Sequence, residues 1–406
     1  MLDALIIGGG AAGMAAAIAA GMCGERVLVL ERMDRIGKKL LATGNGRCNL
    51  MNLGPFRYPG GTALAQAVLA RCGAEAQAAF WRHWGLPLRT EDGGRVYPAS
   101  GQASTVLDTL RLAMTATGAD IVTGAAVTEI RHHGDGFSVT AGSQTWQARR
   151  VIAAGGGCAQ PKLGSDGSAW ALLEHFGHQL LDPRPSLTQI MTDTAPIRGL
   201  SGIRVRCRVA VLRGGKTLHE ESGELLFADY GVSGVCVMQC ARWAEPGCEL
   251  RIDLTQGMGF AGEAGLAEEL RRRRTLFAGH PTERLLTGLC VPRLASCLLK
   301  AACLRREDPI DRLADAALDR LARVMAGFRL DVRGVKGFDS AQVTAGGLDI
   351  GDFDPVTMES LYQPGLHACG EMLDVDGDCG GYNLMFAFGS GLLAGLNGRE
   401  IPWRSL

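Results

Sequence analysis

A glycine motif near the start of the chain constrains its fold more than any other feature. The pattern G-x-G-x-x-G occupies residues 8–13, between a short apolar run and an alanine-rich stretch, and a second apolar run ends at Glu31. This order predicts a Rossmann-like βαβ unit, whose glycine turn directs backbone N–H groups and a helix N-terminus toward a pyrophosphate. We therefore predict that a dinucleotide contacts Gly8, Gly10, Ala11, Ala12 and Gly13.

A carboxylate at the end of the second predicted strand narrows the choice of dinucleotide. Glu31 can accept hydrogen bonds from ribose hydroxyls and repels a 2′-phosphate, which favours FAD or NAD over NADP. Far along the chain, residues 366–371 resemble a strand entering a glycine-acid turn, and residues 380–383 open a helix. The N-terminus of that helix would present N–H donors and a positive dipole end to the pyrimidine edge of a flavin. We therefore predict FAD as the cofactor.

The sequence pattern predicts a cofactor domain interrupted by an insert. Strand and glycine patterns cover residues 1–185 and return at 335–406, whereas residues 186–334 combine alternating strands with Arg- and Leu-rich helical segments. The first two ranges are expected to form one discontinuous FAD-binding domain, and the third an inserted substrate or cap domain. A length of 406 residues is sufficient for more than one hydrophobic core.

Composition limits the classes of partner and the compartment. The 42 Lys and Arg residues balance the 42 Asp and Glu residues, so no net field attracts nucleic acid or an anionic membrane, and neither partner is expected. The 13 cysteines include no C-x-x-C pair, which indicates reduced, cytoplasmic thiols and no metal site. The uncharged stretch 4–22 is explained by a buried strand and helix rather than by a membrane span.

Three side chains near the expected flavin are weak candidates for catalysis. Cys48 and Cys379 could relay electrons as a disulfide, but neither belongs to a C-x-x-C pair and a flavin alone suffices for hydride transfer. Tyr382 could donate a proton to a substrate carbanion, although a tyrosine at a helix start is more often a packing contact. The residue patterns therefore assign no catalytic acid or base.

Stretches along nearly the whole chain carry a family resemblance. They are IGGGAAG (7–13), GKKLLATGNGRCNL (37–50), EDGGRVYPAS (91–100), AAGGGCAQPKLGSDG (153–167), GELLFADYGVSG (223–234), VTAGG (343–347) and GEMLDVDGDCGGYNLMFAFGSGLLAG (370–395). Through them the sequence resembles the BaiN-like or YhiN-like (aminoacetone-oxidase-like) family of bacterial FAD-dependent flavoproteins. The resemblance implies an α/β fold with a Rossmann-like FAD-binding domain of the two-dinucleotide-binding-domain flavoprotein type. It also implies an insert with a β-barrel at about 186–256 and a helical part at about 257–327.

The resemblance also assigns cofactor contacts to individual positions. It implies phosphate contacts at Gly8 to Gly13 and adenosine contacts at Glu31 and Arg32. The remaining implied contacts are Lys38, Lys39, Gly46 and Arg47 at the pyrophosphate and ribityl chain, Val127 at adenine, and Gly370, Glu371, Asp376, Gly381, Asn383 and Leu384 at the ribityl chain and isoalloxazine. The sequence departs from the family pattern at Gly157 to Gln160 and at Met385-Phe386, near the expected flavin or substrate face, which leaves the substrate open.

The implied activity is hydride transfer between FAD and a small organic substrate. Family resemblance favours NAD(P)H-driven reduction of a conjugated C=C bond in a 3-oxo steroid or bile-acid-like substrate. No separate nicotinamide domain is predicted, so NAD(P)H would visit the flavin transiently. This absence favours the alternative, an amine oxidase acting on an aminoacetone-like substrate with oxygen as acceptor. Flavin-dependent RNA modification and redox sensing without turnover are further alternatives, and the balanced charge opposes the first. The oligomeric state is left open.

Overall fold

The computed structural model of the chain describes residues 1–404. The strands are β1 (Leu2–Ile7), β2 (Val27–Glu31), β3 (Met51–Asn52), β4 (Leu88–Glu91), β5 (Arg95–Pro98), β6 (Asp120–Thr123), β7 (Val127–His133), β8 (Gly136–Ala141), β9 (Gln144–Ala153), β10 (Leu180–Ser186), β11 (Ile190–Thr192), β12 (Arg204–Arg213), β13 (Lys216–Ala228), β14 (Gly231–Ser233), β15 (Glu249–Asp253), β16 (Phe328–Val335), β17 (Val343–Leu348) and β18 (Leu366–Ala368). The helices are α1 (Ala11–Met22), α2 (Lys38–Ala42), α3 (Thr62–Cys72), α4 (Ala74–His83), α5 (Ala103–Ala116), α6 (Ala171–Glu174), α7 (Val235–Cys240), α8 (Gly262–Leu276), α9 (Pro292–Ala301), α10 (Asp315–Ala326) and α11 (Tyr382–Leu396).

The chain divides into two compact units, each described by itself. The first consists of Met1–Pro185 and the segment from Ala341 onward, and the second of Ser186–Ser340. No helix within residues 1–404 is long and apolar enough to cross a membrane.

A predominantly parallel sheet forms the centre of the first unit. Its order is β6-β2-β1-β9-β8-β7, with β18 also paired to β9. β1 lies between β2 and β9 and runs parallel to both, with Ala4 opposite Val27 on one side and Arg150 on the other. The end of β9 also pairs in parallel with β18, where Val151 lies opposite Leu366. Segments from both ends of the sequence thus enter one sheet, and the predicted βαβ unit and Rossmann-type fold are confirmed.

Helices α1 and α11 pack so closely that their backbones are in contact. A Cβ atom added to Gly391 would lie 2.3 Å from the carbonyl oxygen of Ala12, and one added to Gly395 would lie 2.3 Å from that of Ala16. Only glycine permits so close an approach. The contact advances four residues along both helices, so the helices run parallel. The N-terminus of α11 lies eight residues further from this contact than that of α1, which offsets the two helix starts by ~12 Å along the axis.

A buried arginine fixes the other end of α11. Arg150, in β9, donates through Nη1 to the carbonyl of Ala394 at 2.7 Å and through Nη2 to that of Gly395 at 2.7 Å. The same guanidinium pairs with Glu25, whose Oε2 lies 2.6 Å from Nη2. A cation at the C-terminus of a helix satisfies free carbonyls and complements the helix dipole. The sheet thereby holds α11 in a fixed position along α1.

The second unit contains a closed barrel and a helical part, as the family resemblance implies. The barrel order is β11-β14-β13-β12-β15-β16, and α8, α9 and α10 lie between β15 and β16 in sequence. The predicted barrel boundary, about 186–256, is wrong at its end, because Phe328–Val335 supplies the strand that closes the barrel. This strand pairs with β15 through Asp331 and Glu249, and with β11 through Val335 and Ile190. The closed barrel has no open strand edge. The helices are an insertion between two neighbouring barrel strands, β15 and β16.

The contact between α1 and α11 can be tested by one added methyl group. We expect Gly391→Ala to lower the free energy of unfolding of the first unit by about 1–3 kcal/mol, because the methyl group overpacks the interface with Ala12. Gly265→Ala, in α8 of the second unit, is the control for adding a methyl group to a helix: its added Cβ would meet nothing nearer than 3.8 Å. This control should leave the unfolding of the first unit unchanged and stabilise the second unit slightly, since alanine favours the helix. Equal effects of both substitutions in urea unfolding would contradict the close packing.

Candidate functional site

The turn between β1 and α1 has the shape that a phosphate group requires. A Cβ atom on Gly13 would lie 1.9 Å from the carbonyl oxygen of Gly8, so the helix starts directly against the end of the strand. A Cβ atom on Gly10 would meet no atom within 4 Å. Gly10 precedes the helix, and no described side chain caps its first turn, formed by Ala11 and Ala12. The free N–H groups of this turn therefore face open space, where an anion could bind.

Glu31 fastens the glycine turn to the end of β2. Its Oε2 accepts a hydrogen bond from the N–H of Gly9 at 2.7 Å, and its Oε1 accepts one from the N–H of Met33 at 2.7 Å. Each carboxylate oxygen keeps a further lone pair, which a ribose hydroxyl could use. The sequence predicted the ribose contact but not the bonds that hold the turn.

The segments expected at the adenosine end lie beside β2. The N–H of Ala125 donates to the carbonyl of Glu31 at 2.9 Å, which brings the start of β7, at Val127, near the end of β2. Arg32 forms an ion pair with Asp166 and donates to the Ser168 hydroxyl at 3.1 Å. The Arg32 side chain is therefore already engaged by the loop that follows β9.

An ion pair connects sequence motifs from both ends of the chain. Lys39 Nζ lies 2.5 Å from Glu371 Oε2, in the turn that Gly370 begins after β18. Glu371 Oε1 accepts the N–H of Thr344 at 2.7 Å, and the Thr344 hydroxyl accepts the N–H of Cys158 at 2.8 Å. Four motifs that are distant in the sequence therefore meet at one carboxylate. Lys39 and Glu371 are only partly buried. Lys39 could therefore donate to a phosphate or a ribityl hydroxyl, and Glu371 could accept from a ribityl hydroxyl.

The other predicted basic contacts have protein partners. Lys38 Nζ lies 2.5 Å from Asp34. Arg47 follows the left-handed turn that ends at Gly46; its Nη2 lies 2.5 Å from Glu91, and its guanidinium stacks 4.1 Å from the centroid of the Tyr97 ring. The stretch EDGGRVYPAS therefore anchors Arg47 in the described structure.

The N-terminus of α11 combines helix donors with an unpaired acceptor. Gly381 precedes the helix with φ 105°, and a Cβ atom there would lie 2.7 Å from Asn49 Oδ1. Asn49 is 8% exposed, and its Oδ1 has no hydrogen-bond partner within residues 1–404. The first N–H groups of α11 are also free of intrahelical bonds. Donors beside an acceptor complement the pyrimidine edge of isoalloxazine, which has carbonyl oxygens on each side of an N–H.

Asn49 is a candidate cofactor contact that the sequence analysis missed. The residue lies within the stretch GKKLLATGNGRCNL, in which cofactor contacts were predicted only at glycine and basic positions. The signal that identifies Asn49 is a buried, unpaired oxygen, which only the structure reveals.

The side chain of Asn383 is bound to the preceding loop, so only the backbone of this residue is free to contact a cofactor. Its Oδ1 accepts the N–H of Gly377 at 2.8 Å, and its Nδ2 donates to the carbonyl of the same residue at 2.8 Å. The preceding Asp376 is buried in the loop that Asn383 holds. A cofactor would therefore meet the N–H groups of Asn383 and Leu384 rather than the Asn383 amide.

The structure favours packing roles for the three catalytic candidates. The Tyr382 hydroxyl donates to the carbonyl of Pro55 at 2.8 Å, and burial raises the pKa of this hydroxyl. Burial also raises the pKa of the Cys48 thiol to about 12 and shifts the pKa of Cys379 upward. Thiols with raised pKa values are poor nucleophiles at neutral pH. Over residues 1–404, no group of three or more His, Cys, Asp or Glu side chains could hold a metal ion.

Comparisons with known proteins place this chain in a family. Residues 2–397 match the family model described as HI0933-like protein Rossmann domain. A 3-dehydro-bile acid delta(4,6)-reductase from Clostridium scindens is 37% identical over 405 residues, covering 98% of this chain and 99% of that protein. A ribosomal RNA dihydrouridine synthase from Haemophilus influenzae is 28% identical over 403 residues, covering 97% of each chain.

A solved structure extends the likeness of the fold. The 3-ketosteroid delta1-dehydrogenase from Sterolibacterium denitrificans aligns with a TM-score of 0.50 at 15% identity, covering 97% of this chain and 98% of that one. At this identity the likeness concerns the fold alone. Because the family model matches nearly the whole chain, the chain belongs to the HI0933-like family, which confirms the predicted family, the Rossmann-type FAD-binding fold and the class of FAD-dependent oxidoreductases.

Proposed function

We propose that a single FAD molecule spans the N-termini of α1 and α11. The observation that carries this proposal is the parallel packing of the two helices, which offsets their starts by ~12 Å, a span comparable to the ribityl chain between pyrophosphate and ring. The pyrophosphate would bind at Gly10 and the adenosine ribose at Glu31. The ribityl chain would pass the Lys39–Glu371 pair, and the pyrimidine edge would meet α11 and Asn49.

We further propose that the enzyme reduces a C=C bond conjugated to a carbonyl group, in a small 3-oxo steroid or bile-acid-like substrate. The 37% identity to a 3-dehydro-bile acid delta(4,6)-reductase supports this substrate class. The chemistry named in the 28% identical relative is of the same kind, because dihydrouridine arises from reduction of a ring C=C bond conjugated to a carbonyl. Both names therefore favour a reductase over an amine oxidase. NAD(P)H is the proposed transient electron donor.

The chain's own residues would support this reaction electrostatically. When bound, FAD supplies the hydride chemistry. The N-terminus of α11 would direct its dipole and free N–H groups toward the pyrimidine edge of the bound ring and would favour added negative charge there. Asn49 and the glycine pair before α11, Gly380 and Gly381, would fix the orientation of the ring.

The unit Ser186–Ser340 is proposed to be a substrate or cap domain. The strands that lead into and out of it, β10 and β17, pair in a two-stranded sheet of the first unit. Paired entry and exit strands are expected where one domain is inserted into another.

Ribosomal RNA is the second candidate substrate. Relatives named ribosomal RNA dihydrouridine synthase, from two bacteria, are each 28% identical along nearly the whole chain. The higher identity to the bile acid reductase and the balance of 42 basic and 42 acidic residues favour the small substrate.

All 13 cysteines are free thiols, which supports a proposed cytoplasmic location.

The ribose contact predicts a loss of FAD affinity in Glu31 variants. We expect Glu31→Ala to weaken FAD binding by about 1–3 kcal/mol, because ribose hydroxyls and the N–H groups of Gly9 and Met33 would lose their acceptor. Glu31→Gln retains one acceptor oxygen and should lose less. Titration of apoprotein with FAD, followed by flavin fluorescence, measures both effects. An unchanged FAD affinity of Glu31→Ala would show that Glu31 does not bind the ribose.

The proposed Asn49 contact predicts a coupling between this side chain and the flavin N3–H. N3-methyl FAD should bind the wild-type apoprotein about 0.5–1.5 kcal/mol more weakly than FAD, because the methyl group replaces the hydrogen donated to Asn49. The Asn49→Leu variant should lose most of this discrimination, as a double-mutant cycle requires. The same discrimination in both proteins would place the N3–H elsewhere.

The proposed activity predicts a specific order of redox events in stopped-flow absorbance. NADH or NADPH should bleach the flavin of the purified holoprotein, and a 3-oxo-4-ene steroid should restore its absorbance faster than oxygen does. Aminoacetone should leave the oxidised flavin unchanged. Bleaching by aminoacetone but not by either nicotinamide would establish the oxidase alternative, whereas reoxidation by unmodified ribosomal RNA but not by the steroid would establish the RNA alternative.

A further inference from the structure

Arg95 lies beside the glycine pair that precedes α11. It begins β5, and its backbone pairs with Asn52 in β3. Side chains at paired positions of antiparallel strands project from the same face. Asn52 Nδ2 donates to the carbonyl of Gly380 at 2.8 Å, and Arg95 Nε lies 3.8 Å from the position of a Cβ atom on Gly380. Both side chains therefore lie against the start of the helix at which the flavin ring is proposed to bind.

The other arginines of this region have partners, whereas Arg95 has none. Arg47 and Arg89 both pair with Glu91, at 2.5 and 2.7 Å, and Arg57 lies 3.2 Å from Asp378. Arg95 is exposed and makes no side-chain hydrogen bond or ion pair with any of residues 1–404. Its guanidinium, held on a short strand, therefore retains all five donors for a molecule outside the chain.

The loop after β3 places apolar surface in the same region. Leu53 is 53% exposed and Phe56 is 44% exposed, so both leave apolar surface open to solvent. The loop is held at two points, since the N–H of Leu53 donates to the carbonyl of Gly94 at 2.8 Å and Tyr382 donates to Pro55 at 2.8 Å. Exposed apolar side chains near an unpaired cation suit a largely apolar ligand that carries one oxygen acceptor.

We propose that Arg95 binds the carbonyl oxygen of the substrate and stabilises its enolate, an inference that rests on the proposed function. Hydride addition to the β-carbon breaks the C=C π bond, and the electron pair moves through the conjugated system to the carbonyl oxygen. The guanidinium is positioned for the negative charge that develops there. A proton from solvent then adds to the α-carbon and restores the carbonyl. The reduced nicotinamide is the source of the hydride, which carries both electrons of the reduction, and Leu53 and Phe56 contact the apolar skeleton.

The test compares Arg95→Gln and Arg95→Lys holoprotein with wild type. We expect Arg95→Gln to lower kcat for a 3-oxo-4-ene steroid about 100-fold, the loss typical for one oxyanion donor. Arg95→Lys keeps the charge and should recover part of the rate. Arg111→Gln removes an exposed arginine on α5 and should leave the rate unchanged. FAD content and thermal unfolding of all variants establish that each protein is folded and loaded.

Ligand binding separates carbonyl recognition from a structural role. A saturated 3-oxo steroid should perturb the flavin absorbance of wild type and bind Arg95→Gln about tenfold more weakly, consistent with loss of a hydrogen bond to a charged group. The same skeleton without the oxo group should bind both proteins equally. An Arg95→Gln protein with wild-type steroid kinetics overturns this inference alone, as does a rise confined to the KM for NADPH. A wild-type holoprotein that reduces no enone overturns the proposed function and this inference with it.

Discussion

The close contact between α1 and α11 is the constraint on which the rest of the first unit depends. Two glycines of α11, Gly391 and Gly395, lie against the carbonyl oxygens of Ala12 and Ala16, where any larger residue would clash. Helices that touch at backbone distance cannot slide or rotate without losing the contact. Arg150 then binds the C-terminal carbonyls of α11. The start of the last long helix is thereby fixed relative to the first glycine turn, although 370 residues separate them in sequence.

Polar groups complete the site on this apolar framework. The carboxylate of Glu371 joins Lys39 to Thr344, and the Asn52 amide holds the carbonyl of Gly380. Partly buried charges require partners, and most charged groups of the site have them. Three kinds of group have no protein partner in the described structure: the buried carbonyl oxygen of Asn49, the free N–H groups of the helix starts and the exposed guanidinium of Arg95. These groups are the ones that we assign to cofactor and substrate.

The residue patterns predicted features whose chemistry is local, such as the turn at residues 8–13, which is confirmed. The barrel with its helical part is implied by the family resemblance and is also confirmed, whereas the cofactor contacts, including Glu31, stay predictions. Long-range pairing could not be predicted, so the barrel boundary missed the strand Phe328–Val335, which closes the barrel after the helical excursion. The side-chain direction of Asn383 and the lack of a partner at Asn49 also depend on tertiary packing. A residue type in a motif indicates proximity to a ligand, but its hydrogen bonds decide whether it contacts that ligand.

The most direct test of the account compares FAD with its two halves. Calorimetric titration of the apoprotein should give one FAD per chain, bound far more tightly than AMP or FMN, because the N-termini of α1 and α11 would bind opposite ends of one molecule and share a single loss of translational freedom. AMP and FMN, each carrying one of the two phosphates of FAD, should also bind together without displacing each other. An AMP affinity equal to that of FAD would contradict the account, since α11 would then contribute nothing to cofactor binding.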